Sequence, residues 1–178
     1  MNELNFESEL IKYITSGTIT VSEDDFQKSN IRETAKDYVV KTKLWQYRDD
    51  IRTTEQLWAN FKQILEQHNQ NTLDNPLSVM EFNQVKKIIS DLKTPYDAGQ
   101  FLYGLNGVSQ IEIDLDDGRH VFLTVFDQKQ IGAGNTVYQV VNQIERPALL
   151  TGKQERRFDT TLLINGLPII QIEEKRDS

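Results

Sequence analysis

Arg157-Phe158-Asp159-Thr160-Thr161-Leu162-Leu163-Ile164-Asn165-Gly166-Leu167-Pro168-Ile169-Ile170-Gln171-Ile172-Glu173-Glu174-Lys175 decides how this chain is read. Two apolar runs flank Asn165-Gly166, a dipeptide suited to the left-handed backbone of a tight hairpin turn. Folding that hairpin carries Asp159, at the outer end of the first strand, toward Glu173 and Lys175 at the outer end of the second. Side chains alternate along a strand, so Glu173 and Lys175 share one face and Glu174 takes the other. Register is the critical point. A strict two-residue turn would pair Asp159 with Ile172. A loop of Asn165-Gly166-Leu167 with Gly166 left-handed, or a bulge near Asp159, shifts the pairing and sets Asp159 opposite Glu173. A catalytic role for these residues therefore predicts an odd-length loop or a bulge.

Two carboxylates and one ammonium at a sheet edge have a definite chemical use. Asp159 and Glu173 offer hard oxygen ligands to Mg²⁺, which binds through one or two carboxylates plus phosphate oxygens. The metal polarises a phosphate and acidifies a bound water, and a lysine orients that water or neutralises developing charge. That is the equipment of a metal-dependent phosphodiesterase. The same residues also compose an ordinary charged end to a buried strand.

The intervening residues add specificity. Arg157-Phe158-Asp159 opening a strand, Asn165-Gly166-Leu167-Pro168 at the turn and Glu173-Glu174-Lys175 closing the next strand resemble the nuclease domain of the restriction (R) subunit of type I restriction-modification enzymes. The resemblance implies the PD-(D/E)xK nuclease fold, with Asp159 and Glu173 as metal ligands and Lys175 as catalytic lysine. It implies that Glu174 lends its backbone carbonyl to the metal, although the family usually has an apolar residue there. Phe6-Glu7-Ser8-Glu9-Leu10-Ile11 is similar to the family's first helix, which implies that Glu7 is the acid carried to the active site; an ordinary first-turn glutamate is the alternative. The likeness extends to the Val-Phe-Asp strand end at Asp127 and to Val140-Val141-Asn142-Gln143. Asp127 itself reads as turn chemistry. Lys153, Arg156 and Arg157 are candidates for phosphate-backbone contacts or for a solvated loop.

Outward from the hairpin, apolar residues recur with period two from about residue 99: Val108–Leu115, a turn at Asp116-Asp117-Gly118, His120–Phe126, and Val137–Ile144. The region before it reads mostly as helices. Phe6, Leu10, Tyr13 and Ile14 have helical spacing and Gly17 ends that segment. Asp24-Asp25 can cap a helix, and Arg32–Lys43 carries mixed charge. Thr54–Glu66 is amphipathic through Leu57, Phe61, Ile64 and Leu65. Ser78 caps Val79–Leu92, whose stripe is Val79, Phe82, Val85, Ile88, Ile89 and Leu92, and Pro95 ends it. Trp45, Trp58 and Phe61 are read as core packing rather than base-stacking platforms. The expected fold is α+β (α/β): a restriction-endonuclease-like central sheet, mixed or antiparallel, flanked by helices and carrying a helical N-terminal insertion. One domain is expected over 1–178, helical to about 98 and carrying sheet and active site beyond.

Composition sets bounds. The chain has no cysteine and two histidines far apart, His68 and His120, which argues against a thiolate or histidine metal site and for a reducing, cytoplasmic setting. No apolar run approaches a membrane span. Net charge is −7, with 12 basic against 20 acidic residues in 1–118 and 8 against 7 in 119–178. The nuclease-like part is thus the less acidic, but this balance predicts weak DNA binding in isolation. There is no Gly-x-x-x-x-Gly-Lys-[Ser/Thr], hence no ATP motor in the chain. In the resembled family, ATP-dependent translocase domains follow the nuclease domain, as does a helix with a Gln-x-x-x-Tyr motif. The chain therefore reads as an N-terminal fragment, weak or inactive alone. Its parent is expected to cut double-stranded foreign DNA after ATP-driven translocation, in complex with methyltransferase and specificity subunits. A DNA-repair or mobile-element nuclease of the same fold, and a non-catalytic assembly or DNA-binding domain, are the alternatives.

Overall fold

The computed structural model describes residues 3–16, 44–131, 134–146 and 156–173, with backbone alone for 3–5, 146 and 156–159. In chain order these are helix α1 (Glu3–Ser16), strand β1 (Trp45–Tyr47), helices α2 (Thr54–His68), α3 (Val79–Ser90) and α4 (Pro95–Tyr103), strands β2 (Val108–Asp114) and β3 (His120–Asp127), a 3-10 turn (Gln128–Gln130), and strands β4 (Tyr138–Arg146), β5 (Arg156–Ile164) and β6 (Leu167–Ile172). Gly17, Asp24-Asp25 and Arg32–Lys43 lie outside the described residues.

Three helix starts are written locally. Thr53, Ser78 and Thr94 each accept a hydrogen bond from the backbone N–H three residues on, and Gln56, Glu81 and Asp97 reach back to the cap N–H. Each such box satisfies otherwise orphaned donors and contributes about 1 kcal/mol. Pro95 does not serve as the stop of α3, which closes at Asp91; it opens α4, where its missing N–H costs nothing.

The central sheet runs β1-β4-β5-β6 and is mixed: β1 pairs parallel with β4, and the other pairs are antiparallel. The expectation of a mixed sheet holds, but its membership differs. β2 and β3 form a separate two-stranded sheet, and Trp45, placed among helices by sequence, sits on β1 against the edge of the Tyr138 ring. β4 is buried from Tyr138 through Asn142. Alternation sends Gln139 and Val141 toward α2, where Gln139 exchanges hydrogen bonds with Asn60 and Val141 packs with Ile51, Leu163 and Leu57. Asn142 faces the other way, to α1.

Helix α2 has a second apolar side. Phe61 and Leu65 join Leu77, Phe82, Val85 and the inward residues Ile111, Ile113, Leu123 and Val125 of the β2–β3 hairpin in the larger core. Trp58 packs edge-on to Phe61 and Phe82 in the same cluster, which settles it as a core residue. Three expected stripe positions are exposed: Val79, 78%, at the start of α3, and Tyr13, 72%, and Phe6, 50%, on α1. On α1 the buried pair is Glu7 and Ile11, one turn apart, so the face toward the sheet is centred on an acid.

The Asn165-Gly166 turn is enclosed between these layers. Asn165 and Gly166 have φ of 51° and 79°, the two left-handed residues of a tight hairpin. The Asn165 amide accepts from Val137 N and donates to the carbonyl of Val125, and its backbone N–H bonds Val137 O, so one residue ties both sheets together. A Cβ on Gly166 would stand 2.9 Å from Phe61 Cα. Gly166→Ala is therefore expected to lower stability by about 3 kcal/mol in a urea titration, combining backbone strain with overpacking. Gly118→Ala, also left-handed but in open space, should lose only about 1 kcal/mol.

The two histidines stand away from the central sheet. Burial lowers the pKa of His68 at the end of α2. On the surface of the hairpin, His120 meets Asp114 at 2.7 Å and also contacts Glu112, and these two carboxylates raise its pKa. A raised pKa in the folded state gives stability that is complete below the ordinary value of 6.5 and disappears as pH rises through the folded pKa. His120→Gln is thus expected to shift the urea midpoint at about pH 5 and to leave it near wild type at about pH 9. A shift of equal size at both would show that packing, not charge, holds the imidazole.

Candidate active site at the open end of the hairpin

Pairing along the C-terminal hairpin starts as a two-residue turn should, with Ile164 opposite Leu167 and Leu163 opposite Pro168. It then shifts: Leu162 pairs with Ile170, Thr161 with Gln171 and Thr160 with Ile172, leaving Ile169 as an extra residue in a bulge. Pro168 has no N–H to give the ladder, and it stands beside the bulge on β6, an edge strand, both of them settings in which a strand tolerates proline. The odd-length loop expected as one device is not used, and the bulge expected near Asp159 stands instead on β6 at Ile169, close to the turn, where it shifts the register by the same one residue. One rung beyond Thr160 and Ile172, the register sets Asp159 across from Glu173, not Ile172. Glu173 follows β6 directly and is exposed.

The backbone of Asp159 lies in β5, together with Arg156 and Arg157, which pair with Arg146 and Glu145 of β4. The side chains of these three, and all of Lys153, Glu174 and Lys175, lie outside the described residues. Among the described residues no group of three or more acidic, histidine or cysteine side chains is assembled for a metal.

Glu7 is brought to the same end of the sheet from the far end of the chain. It is 4% exposed and accepts hydrogen bonds from Asn142 Nδ2 at 2.8 Å and from Gln143 Nε2 at 3.0 and 3.2 Å. Asn142 pairs with Thr160, immediately next to Asp159. Its amide is oriented by donors on its other side: Tyr47 OH and Arg52 both give hydrogen bonds to Asn142 Oδ1, and Arg52 also bonds the Asn142 carbonyl. Arginine can only donate, so Oδ1 must face it and Nδ2 must face Glu7. The segment carrying Arg52 is itself tied to β4 by a hydrogen bond from Glu145 N to Arg52 O. Glu9 is exposed, so of Glu7 and Glu9 it is Glu7 that is directed at the sheet. Thr160 Oγ1, fully buried on the neighbouring rung, has no hydrogen-bond partner among the described residues.

Glu173 presents an exposed carboxylate and Asp159 holds the register position across from it, the donor type a hard cation takes, while the Glu7 carboxylate near the adjoining rung is already engaged by the Asn142 and Gln143 amides. Tyr47, Arg52, Asn142 and Gln143 had no role assigned from sequence. The available signal was Asn142-Gln143 itself, two consecutive amides between the apolar Val140-Val141 and Ile144.

Comparison with known proteins places the chain. Residues 21–178 match the family described as type I restriction enzyme R protein N terminus. Glu7 precedes the matched residues. The endonuclease subunit of a type I restriction enzyme from Staphylococcus aureus strain MSSA476 is 32% identical over 130 residues, covering 72% of this chain and 13% of that protein. The corresponding subunit from Staphylococcus saprophyticus is 30% identical over 127 residues, covering 71% of this chain and 12% of its own length. The EcoprrI endonuclease subunit of Escherichia coli is 43% identical over 61 residues, 34% of this chain and 18% of that protein. This chain thus spans about an eighth of the staphylococcal relatives' length, and by the match over residues 21–178 it belongs to the family of type I restriction enzyme R protein N-terminal domains.

Proposed function

We propose that this domain is the Mg²⁺-dependent endonuclease of a type I restriction R subunit, hydrolysing phosphodiester bonds of double-stranded foreign DNA. The observation that carries this reading is the bulge at Ile169, which shifts the register by one residue, so that one rung past the last pair, Thr160 with Ile172, Asp159 falls level with Glu173. The names of the relatives, endonuclease subunits of type I restriction enzymes, support the same reading.

Asp159 and Glu173 would hold the metal, with the Glu174 carbonyl as a further oxygen. When bound, Mg²⁺ supplies a Lewis acid at the scissile phosphate and lowers the pKa of a coordinated water. Lys175 would supply the ammonium that orients the attacking water or offsets the charge developing on phosphate. Lys153, Arg156 and Arg157 contact the DNA backbone, and the near-neutral balance of residues 119–178 allows the approach. Translocation driven by ATP belongs to the remainder of a longer chain, and recognition and methylation to partner subunits.

The test is cleavage of circular duplex DNA by the full complex with Mg²⁺ and ATP, with ATP hydrolysis followed in parallel. Asp159→Ala, Glu173→Ala and Lys175→Ala should each reduce cutting by at least about a hundredfold and leave ATPase intact. Wild-type cutting by all three would make the hairpin structural and favour an assembly role.

A further inference from the structure

The described residue closest in register to Asp159 on β4 is Gln143, which nothing above assigns. The β4–β5 ladder passes from Asn142–Thr160 to Ile144–Phe158, and Gln143, standing between and level with Asp159, has φ of 54°. A non-glycine residue adopts that backbone within a strand only where its surroundings hold it there. The hold is visible. Consecutive strand residues normally point to opposite faces, yet the amides of both Asn142 and Gln143 reach the Glu7 carboxylate. Glu7 is anchored in turn, because Asn142 is fixed from behind by Tyr47 and Arg52.

We propose that Gln143 is a positioning residue for Asp159, and that Glu7 acts through it instead of ligating the metal; this rests on the nuclease reading above. The state of Glu7 points the same way. A carboxylate has about four lone-pair positions. Three N–H···O contacts from two amides already engage Glu7, and it is almost fully buried. A metal ligand beside phosphate needs free oxygens facing the site. A clamp needs what Glu7 has: fixed amides on both oxygens and no exposure. In this arrangement the clamp holds β4 in its left-handed kink, and the kink sets how the strand carrying Asp159 lies against β4.

The experiment measures the Mg²⁺ concentration for half-maximal cleavage by the full complex, with ATPase as the control for folding. Gln143→Ala and Glu7→Gln should each raise it by about ten- to a hundredfold, the usual effect of removing a partner that orients a metal ligand. Gln143→Gly accepts the left-handed backbone and removes only the amide, and it should show the same rise. The double variant Glu7→Gln/Gln143→Ala should be no worse than the more affected single variant, since both break one clamp. Wild-type Mg²⁺ dependence in Gln143→Gly, or single effects that multiply in the double variant, would overturn the proposal, the latter by giving Glu7 its own contact with the metal. Asp159→Ala in the same assay separates the two readings. If it is inactive while the clamp variants behave as wild type, only the clamp fails; if it cuts normally, the nuclease reading fails and the clamp with it.

Discussion

The burial of a hairpin turn is the constraint on which the other features depend. Turns usually lie in solvent because their backbone groups need water. Here Asn165, Gly166 and Leu167 are enclosed, and the polar groups of Asn165 are satisfied by the backbone of Val137 and Val125. Phe61 of α2 closes over Gly166 at a distance that admits no side chain. With the turn fixed on the helix, the count of residues outward along β5 and β6 has a fixed origin. The bulge at Ile169 then determines what stands at the open end.

Two polar networks flank β4, and each spans a long stretch of chain. On the α2 side, Asn60 exchanges hydrogen bonds with Gln139 and accepts one from Arg48, which is held by Asp50. On the α1 side, Glu7, Asn142, Arg52 and Tyr47 form the second. Buried amides are costly when unpaired and restrictive when paired, so such networks select one arrangement of elements where apolar packing alone would admit several. This accounts for a three-residue strand, β1, being held in parallel pairing with β4. Arg48 N, just past its end, bonds Val140 O, and Tyr47 bonds Asn142.

Charge is distributed in keeping with this division. Most of the acidic excess lies in the first 118 residues, and the segment holding β3 to β6 is close to balanced. A polyanion approaching the open end of the hairpin therefore meets the less repulsive part of the chain, with arginines at the start of β5.

What the sequence determined by itself is local. The Asn165-Gly166 turn, the cap at Ser78, the β2–β3 hairpin and the inward stripe Phe61-Ile64-Leu65 were all legible, because each rests on a pattern within a few residues. The register question was legible too, from counting along Asp159 to Glu173, and so was a bulge as one answer, though not its place on β6 beside the turn. What the tertiary structure decided is everything set by partners far along the chain. The three residues of β1 carry too short a pattern to be recognised, and they become a strand only because β4, about ninety residues on, accepts them. The β2–β3 hairpin left the central sheet because its apolar face is matched to α2, α3 and α4. Glu7 looked like a first-turn acid or a catalytic one, and only the amides of Asn142 and Gln143, 135 and 136 residues away, show it as a buried acceptor. Periodicity encodes which side of an element is apolar; it does not encode which distant surface will cover that side, and that choice places these residues.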